Sequence, residues 1–192
     1  QEEGAVSKGP YLDVSESYKT GKSLEQMIEE GEASPLFRGL EGDIPDGEKE
    51  IQIDRGLYLH QERALRKTNQ GKNLIVTTGT GSGKTECFII PIINHLLREV
   101  EEGTLTSGVR AILIYPMNAL ANDQMKRLRK LLKSYPDITF GIYNSSTKQG
   151  EQDGIAEYGK VYKDANGYPL RPLKNEIISR DQMQKTPPHI LV

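Results

Sequence analysis

The stretch Thr78-Gly79-Thr80-Gly81-Ser82-Gly83-Lys84-Thr85 decides the fold. It follows the apolar, β-branched run Asn73-Leu74-Ile75-Val76-Thr77 and precedes Glu86 to Val100, where apolar residues recur at helical spacing. Strand, glycine-rich loop and helix in that order predict a cradle for the phosphates of a nucleoside triphosphate. Gly79, Gly81 and Gly83 are expected to take positive φ, so that successive N–H groups approach phosphate oxygens where a Cβ would collide. The following helix offers an N-terminus whose first N–H groups lack intrahelical partners and which carries about half a positive charge. Thr80, Gly81, Ser82, Gly83, Lys84 and Thr85 are therefore the candidate nucleotide-binding residues. Lys84 supplies a mobile charge for the β and γ phosphates, and the Thr85 hydroxyl a ligand for Mg²⁺. Thr78 stands where the strict pattern has glycine, so the match is to the looser form ending in Gly-x-Gly-Lys-Thr. The alternative is a Gly-Ser surface turn with a solvated lysine.

The 192 residues suffice for one α/β domain with a core, plus an N-terminal extension. With 25 basic and 27 acidic residues the net charge is −2, so any site for a polyanion has to be local. The single cysteine, Cys87, excludes an internal disulfide framework and a paired-cysteine zinc site, and fits a reducing compartment. No run approaches the ~20 apolar residues of a membrane span and no signal-peptide pattern opens the chain. The expectation is a cytoplasmic protein without membrane contact. The chain begins on Gln1 and stops on the apolar run Ile190-Leu191-Val192, which reads as a fragment cut at a strand.

Residues 1–50 are expected to form an N-terminal arm and linker, and 51–192 the domain. In the arm, 1–20 reads as extended, Ser23 caps a helix carrying Leu24, Met27 and Ile28 that Gly31 and Pro35 end, and 39–50 reads as a loop. A short helix is expected from Leu59 to about Asn69. Pro91 is expected to kink the helix that follows the glycine loop. Arg110 to Tyr115 is the second strand, joined to the first by a βαβ unit, and Asn118 to Leu132 an amphipathic helix burying Leu120, Met125, Leu128, Leu131 and Leu132. Ile138 to Tyr143 and His189 to Val192 are further strands. The polar segment 144–188 between them is too long for an ordinary connection and predicts a surface excursion with helices near 149–158 and 179–184.

Several motifs together resemble the first RecA-like domain of superfamily 2 DEAD/DEAH-like helicases. Tyr58-Leu59-His60-Gln61 resembles the glutamine motif upstream of the phosphate loop. By that resemblance Gln61 reads the adenine edge, its amide offering a donor beside an acceptor. Arg55, Tyr58 and His60 are candidates to flank the base; each equally suits packing or solvent. Tyr115-Pro116-Met117-Asn118-Ala119-Leu120-Ala121-Asn122-Asp123-Gln124 resembles motif Ia, which touches the backbone of a bound strand. Pro116, Asn118, Ala119 and Asn122 are thus candidate nucleic-acid contacts, although Asn118 stands where a basic residue is common and also suits a plain helix cap. Gly141 to Thr147 sits where the family has a short phosphate-binding turn, which makes Thr147 a further candidate. Lys126, Arg127, Arg129 and Lys130 offer local positive charge or a solvated helix face. The flavour of Gly-Ser-Gly-Lys-Thr-Glu and Ala-Leu-Ala-x-Asp-Gln is similar to large bacterial helicases with a C-terminal zinc-binding or helicase-associated region, of DNA repair and of anti-phage systems such as DISARM or Druantia.

The resemblance implies an α/β RecA-like P-loop fold, incomplete here, with a mostly parallel sheet flanked by helices. It implies ATP and Mg²⁺ as cofactors, and nucleic acid, DNA before RNA, as partner with the remainder of the helicase chain or another subunit. No Asp-Glu-x-His or Asp-Glu-x-Asp run occurs, so no catalytic residue is assigned and this chain alone is not expected to turn over. A P-loop scaffold within a multi-subunit complex is the rival reading. A small kinase or GTPase is another, but it leaves Gln61 and the 116–124 segment unexplained.

Overall fold

The computed structural model describes residues 18–40 and 50–192. Most of the expected extended arm and of the 39–50 loop lies outside them. The described part of the arm begins with β1 (Thr20–Ser23), which runs directly into helix α1 (Leu24–Glu29). The Ser23 hydroxyl accepts from Gln26 N at 3.2 Å and the Gln26 side chain accepts from Ser23 N at 3.0 Å, a reciprocal cap that fixes the helix start. Gly31 stops it with φ of +73°, the left-handed turn that lacks a penalty only for glycine. A 3-10 helix at Pro35–Leu40 follows.

β2 (Gly56–Tyr58) pairs antiparallel with β1, Thr20 opposite Tyr58 and Ser23 opposite Gly56. This pairing joins segments more than thirty residues apart, and no local turn signal advertised it. Helix α2 (Leu59–Asn69) packs against α3 (Glu86–Glu101). α3 continues through buried Pro91, whose missing N–H removes one rung while its ring stays in apolar surroundings. Asn94, 1% exposed, fastens three segments: its carbonyl accepts from Ser34 N at 2.8 Å and its amide donates to Asn69 Oδ1 at 3.2 Å.

The second half forms a four-stranded, wholly parallel sheet of β3 (Ala111–Ile112), β4 (Phe140–Gly141), β5 (Glu176–Ile177) and β6 (Ile190–Leu191), in the order β3-β6-β4-β5. Helix α4 (Asn118–Leu132) covers the sheet through Met125, Leu128, Leu131 and Leu132. α5 (Glu151–Val161) and α6 (Arg180–Lys185) belong to the excursion between β4 and β6. The fold is α/β with a parallel sheet flanked by helices, as the motifs led one to expect.

Four details differ from expectation. The run 73–77 forms no strand among the described residues, and Ile75 is 90% exposed. β-branched residues fit a pleated surface, but a strand exists only with a neighbour to complete its ladder. For the same reason the 110–115 run is regular only at 111–112, with Ile114 88% exposed, and the expected βαβ unit across the glycine loop is not closed by pairing. Leu120 faces outward, leaving Ala121 to line the core. The described part of the arm is no appendage either: Leu24, Met27 and Phe37 are fully buried in the cluster that also holds Leu65, Ile89 and Ile93.

Candidate functional site

The glycine loop takes its shape from α2. His60 Nε2 lies 2.8 Å from Ser82 O, and Gln61 Nε2 donates to Gly83 O at 3.0 Å. With a carbonyl as partner, the His60 Nε2 is the protonated nitrogen. Two consecutive loop carbonyls are thus drawn toward α2, which turns the intervening N–H groups the other way. None of the N–H groups of residues 81–86 donates to an acceptor among the described residues. Gly81 and Gly83 hold φ of +72° and +70°, and a Cβ on Gly83 would strike Gln61 and lie 2.9 Å from Glu86 Oε2. Gly79 does not share this geometry; its φ is not positive, and its missing Cβ leaves room for the Tyr18 hydroxyl instead.

Lys84 Nζ donates to Thr78 O at 2.9 Å and Gly79 O at 2.6 Å, so the ammonium spans the mouth of the loop. The Thr78 and Ser82 hydroxyls bond each other at 2.6 Å, and Ser82 is buried. Thr78, the departure from the strict pattern, therefore staples the loop through its side chain. Thr85 is helical and precedes α3 without a side-chain cap bond, leaving its hydroxyl uncommitted among the described residues. Unpaired N–H donors, a helix N-terminus, one ammonium and one hydroxyl suit a triphosphate with its Mg²⁺.

A cleft of about 300 Å³ adjoins the loop, lined by Ile51, Arg55, Tyr58, Gln61, Gly83 and Glu86 among others. Gln61 is 6% exposed and accepts from Tyr58 N at 2.8 Å, completing the first turn of α2. An amide carries two donors and two lone pairs, so after these bonds one of each remains for a base edge. Tyr58 and His60 stack with centroids 5.6 Å apart, Tyr18 packs against both, and the Arg55 guanidinium lies 5.9 Å from the Tyr58 centroid.

Sequence reasoning passed over Glu86, and it names Arg127 only for local charge and not as its partner. Arg127 Nη2 donates to Glu86 Oε1 at 2.6 Å, and Arg127 Nε lies 3.3 Å from Glu50, which Lys130 also reaches at 2.9 Å. The lead-in to the cleft, the loop helix and α4 are thereby linked by charge. Lys126 pairs with Asp123 and Arg129 with Glu176, so all four basic residues of α4 that read as local positive charge or a solvated face are ion-paired.

Pro116, Asn118 and Ala119 are exposed at the start of α4, and Asn122 follows one turn on, half-buried. The cap position is Met117 and not Asn118, and no side chain caps the helix. Thr147 is placed differently from the expectation. It is 8% exposed, and its hydroxyl donates to Ile142 O at 2.9 Å while accepting from Asn144 N at 2.9 Å, so it builds the turn instead of presenting itself to a ligand. The Asn144 amide reaches Asn118 Oδ1 at 3.5 Å, which sets that turn beside the N-terminus of α4.

Among the described residues no group of His, Cys, Asp and Glu could hold a metal ion unaided, and no helix is long and apolar enough to cross a membrane. Residues 58–163 match the family profile described as DEAD/DEAH box helicase. The chain is 36% identical over 136 residues to Druantia protein DruE of Escherichia coli (strain UMEA 4076-1), covering 68% of this chain and 7% of that protein. It is 32% identical over 132 residues to the ATP-dependent helicase Lhr-Core of Methanothermobacter thermautotrophicus, covering 69% and 13%. With the ATP-dependent helicase HRQ1 of Saccharomyces cerevisiae it shares 30% identity over 107 residues, covering 54% and 9%. The chain thus spans a small fraction of the length of these relatives. No solved structure matches it.

Proposed function

We propose, since this chain belongs to the DEAD/DEAH box helicase family, that it is the ATP-binding part of an ATP-dependent helicase or translocase acting on nucleic acid, DNA in particular. The observation that carries the reading is the set of unpaired N–H groups at 81–86, held in place by His60 and Gln61. In this reading Thr80, Gly81, Ser82 and Gly83 enclose the phosphates. Lys84 exchanges its two carbonyl partners for phosphate oxygens, and Thr85 ligates Mg²⁺. Mg²⁺, when bound, would supply charge neutralisation at the phosphates. The remaining donor and acceptor of Gln61 meet the base, with Tyr58 and His60 packed beside it. The strand runs over Pro116, Asn118, Ala119 and Asn122, where N–H groups of a helix end without a side-chain cap donate to phosphates whatever the base sequence.

Turnover is assigned to groups outside these residues: among the described residues no Asp-Glu run stands beside the loop, and the two carboxylates that line its cleft, Glu50 and Glu86, are both tied to Arg127. The identity to a Druantia protein supports a place in an anti-phage system, and the helicase relatives support a motor over a passive scaffold. Calorimetric titration with Mg-ATP and Mg-GTP tests the reading. Binding of ATP in preference to GTP is expected, weakened about tenfold or more by Lys84→Ala, the weight of one charge-assisted contact. Strong hydrolysis by this chain, abolished by Lys84→Ala, would show that it holds its own catalytic acid. Equal binding by Lys84→Ala and wild type would remove the loop from the site.

A further inference from the structure

We infer that Arg180 and Tyr143 form a phosphate-and-base clamp for single-stranded nucleic acid at the edge of the α4 N-terminus; this rests on the nucleic-acid reading above and names the positive charge it lacked. The basic residues of α4 are ion-paired, leaving the proposed strand surface at Pro116 to Asn122 without an unpaired α4 cation among the described residues. Arg180, brought from the excursion as the first residue of α6, stands in that gap. Its guanidinium lies 5.1 Å from the Tyr143 centroid, and Nη2 donates to Asn144 O at 3.3 Å. The same Asn144 reaches Asn118 through its side chain, so the guanidinium, the turn and the start of α4 share one surface.

Arg180 has no carboxylate partner among the described residues, and its Nε is buried without a hydrogen-bond partner. One of five N–H groups is used, which leaves three donors on the terminal nitrogens for phosphate oxygens. Tyr143 has one face toward the guanidinium and is still 54% exposed. An aromatic ring with an open face next to a fork of unspent donors is the combination that binds a strand without regard to sequence, the ring stacking a base and the arginine holding the adjoining phosphate. Buried Thr147 and the Asn144 side chain keep the turn rigid, so the pair is presented in one geometry.

The test is fluorescence anisotropy of a labelled oligothymidylate of about 20 nucleotides, titrated over a salt series. Arg180→Gln keeps an amide donor for Asn144 O and removes the charge; Arg63→Ala, an exposed arginine on α2, is the control of equal charge change. Wild type is expected to bind. Arg180→Gln should weaken binding about tenfold and lower the slope of log K against log salt by about one, the signature of one lost phosphate contact. Tyr143→Ala should weaken binding about fivefold or more with the salt slope unchanged, the signature of a lost stack. Arg180→Gln matching Arg63→Ala, or losing affinity at constant salt slope, overturns the clamp while leaving the nucleic-acid reading intact. Absence of binding by the wild type overturns both.

Discussion

His189 shows how a single buried ring ties the start of β6 to its surroundings. It is 5% exposed, with Nδ1 accepting from Thr139 N at 2.9 Å and Nε2 lying 3.1 Å from Thr106 O. Only the neutral ring with its proton on Nε2 satisfies both partners, because a second proton on Nδ1 would face the Thr139 N–H. Burial lowers the pKa of the ring; the Thr106 carbonyl and Glu99 act the other way, and Arg110 adds to the lowering. The folded value therefore lies below the unfolded one, and between them the unfolded chain binds more protons. His189 contributes its stability above the unfolded value of about 6.5 and loses it as pH falls through the folded value, at no more than about 1.4 kcal/mol per pH unit. Denaturant unfolding at pH about 7.5 and about 5.5 should show wild type losing stability toward acid. His189→Gln, whose amide offers the same acceptor and donor, should lose less over that interval. Equal acid sensitivity of both proteins would assign the effect to other groups.

One arginine gathers three groups of the 144–188 excursion against α4, beside the bonds of Tyr162 to Asn122 and of Asn175 to Leu132 O. Arg129 Nη1 meets the Tyr158 hydroxyl and the Glu176 carboxylate, and Nη2 meets Arg171 O. The Glu176 side chain is 1% exposed, and burial raises its pKa even though Leu173 N, Tyr158 and Arg129 all favour the charged form. A pair so placed adds little net stability over apolar residues, yet breaking it is costly. Arg129→Ala should destabilise the fold by about 3–5 kcal/mol by leaving the carboxylate unpaired, and Arg129→Met with Glu176→Leu should recover most of that. Urea unfolding of the wild type and the two variants checks it; a double variant no more stable than Arg129→Ala would refute the pairing argument. Elements of this kind divide what was legible in the sequence from what was not. The bounds of α4 and the Ser23 cap could be read, because helix periodicity and capping are set within one or two turns. Glu176 could not be chosen from among the acidic residues, since its partner is 47 positions away. The run 73–77 reads as a strand and forms none because propensity speaks for the residue and not for its neighbour across the ladder. Gln61 reads from the sequence as a ligand for a base, but its hold on Gly83 O, 22 positions on, is a contact that only the folded chain discloses.

At the scale of the molecule, the N-terminal segment and the nucleotide cleft belong to one cooperative unit. Leu24, Met27 and Phe37 are fully buried against residues of α2 and α3. Arg98 donates to Gly31 O and Glu32 O, Arg66 bonds Glu32 at 2.7 Å, and the Tyr135 hydroxyl reaches Leu36 O. Each large apolar side chain buried in this way contributes about 1.5–3 kcal/mol, so removing the three together takes away an amount comparable with the ~5–15 kcal/mol of a whole domain. Among the described residues β1 also supplies the only ladder for β2, whose last residue, Tyr58, is held by Gln61 at the mouth of the cleft. A chain starting at Ile51 is therefore expected to lack a cooperative thermal transition by circular dichroism, and Phe37→Ala in the full chain to lower stability by about 3–5 kcal/mol. A milder variant separates folding from the site. Tyr18→Ala removes the ring packed against Tyr58 and His60 while leaving Leu24, Met27 and Phe37 in place. Its melt should stay cooperative, and its affinity for Mg-ATP should fall severalfold as His60 and Gln61 loosen their hold on Ser82 O and Gly83 O. A sharp transition in the 51–192 chain with unaltered ATP affinity would instead make the first fifty residues an independent appendage, and the boundary read from the sequence would stand.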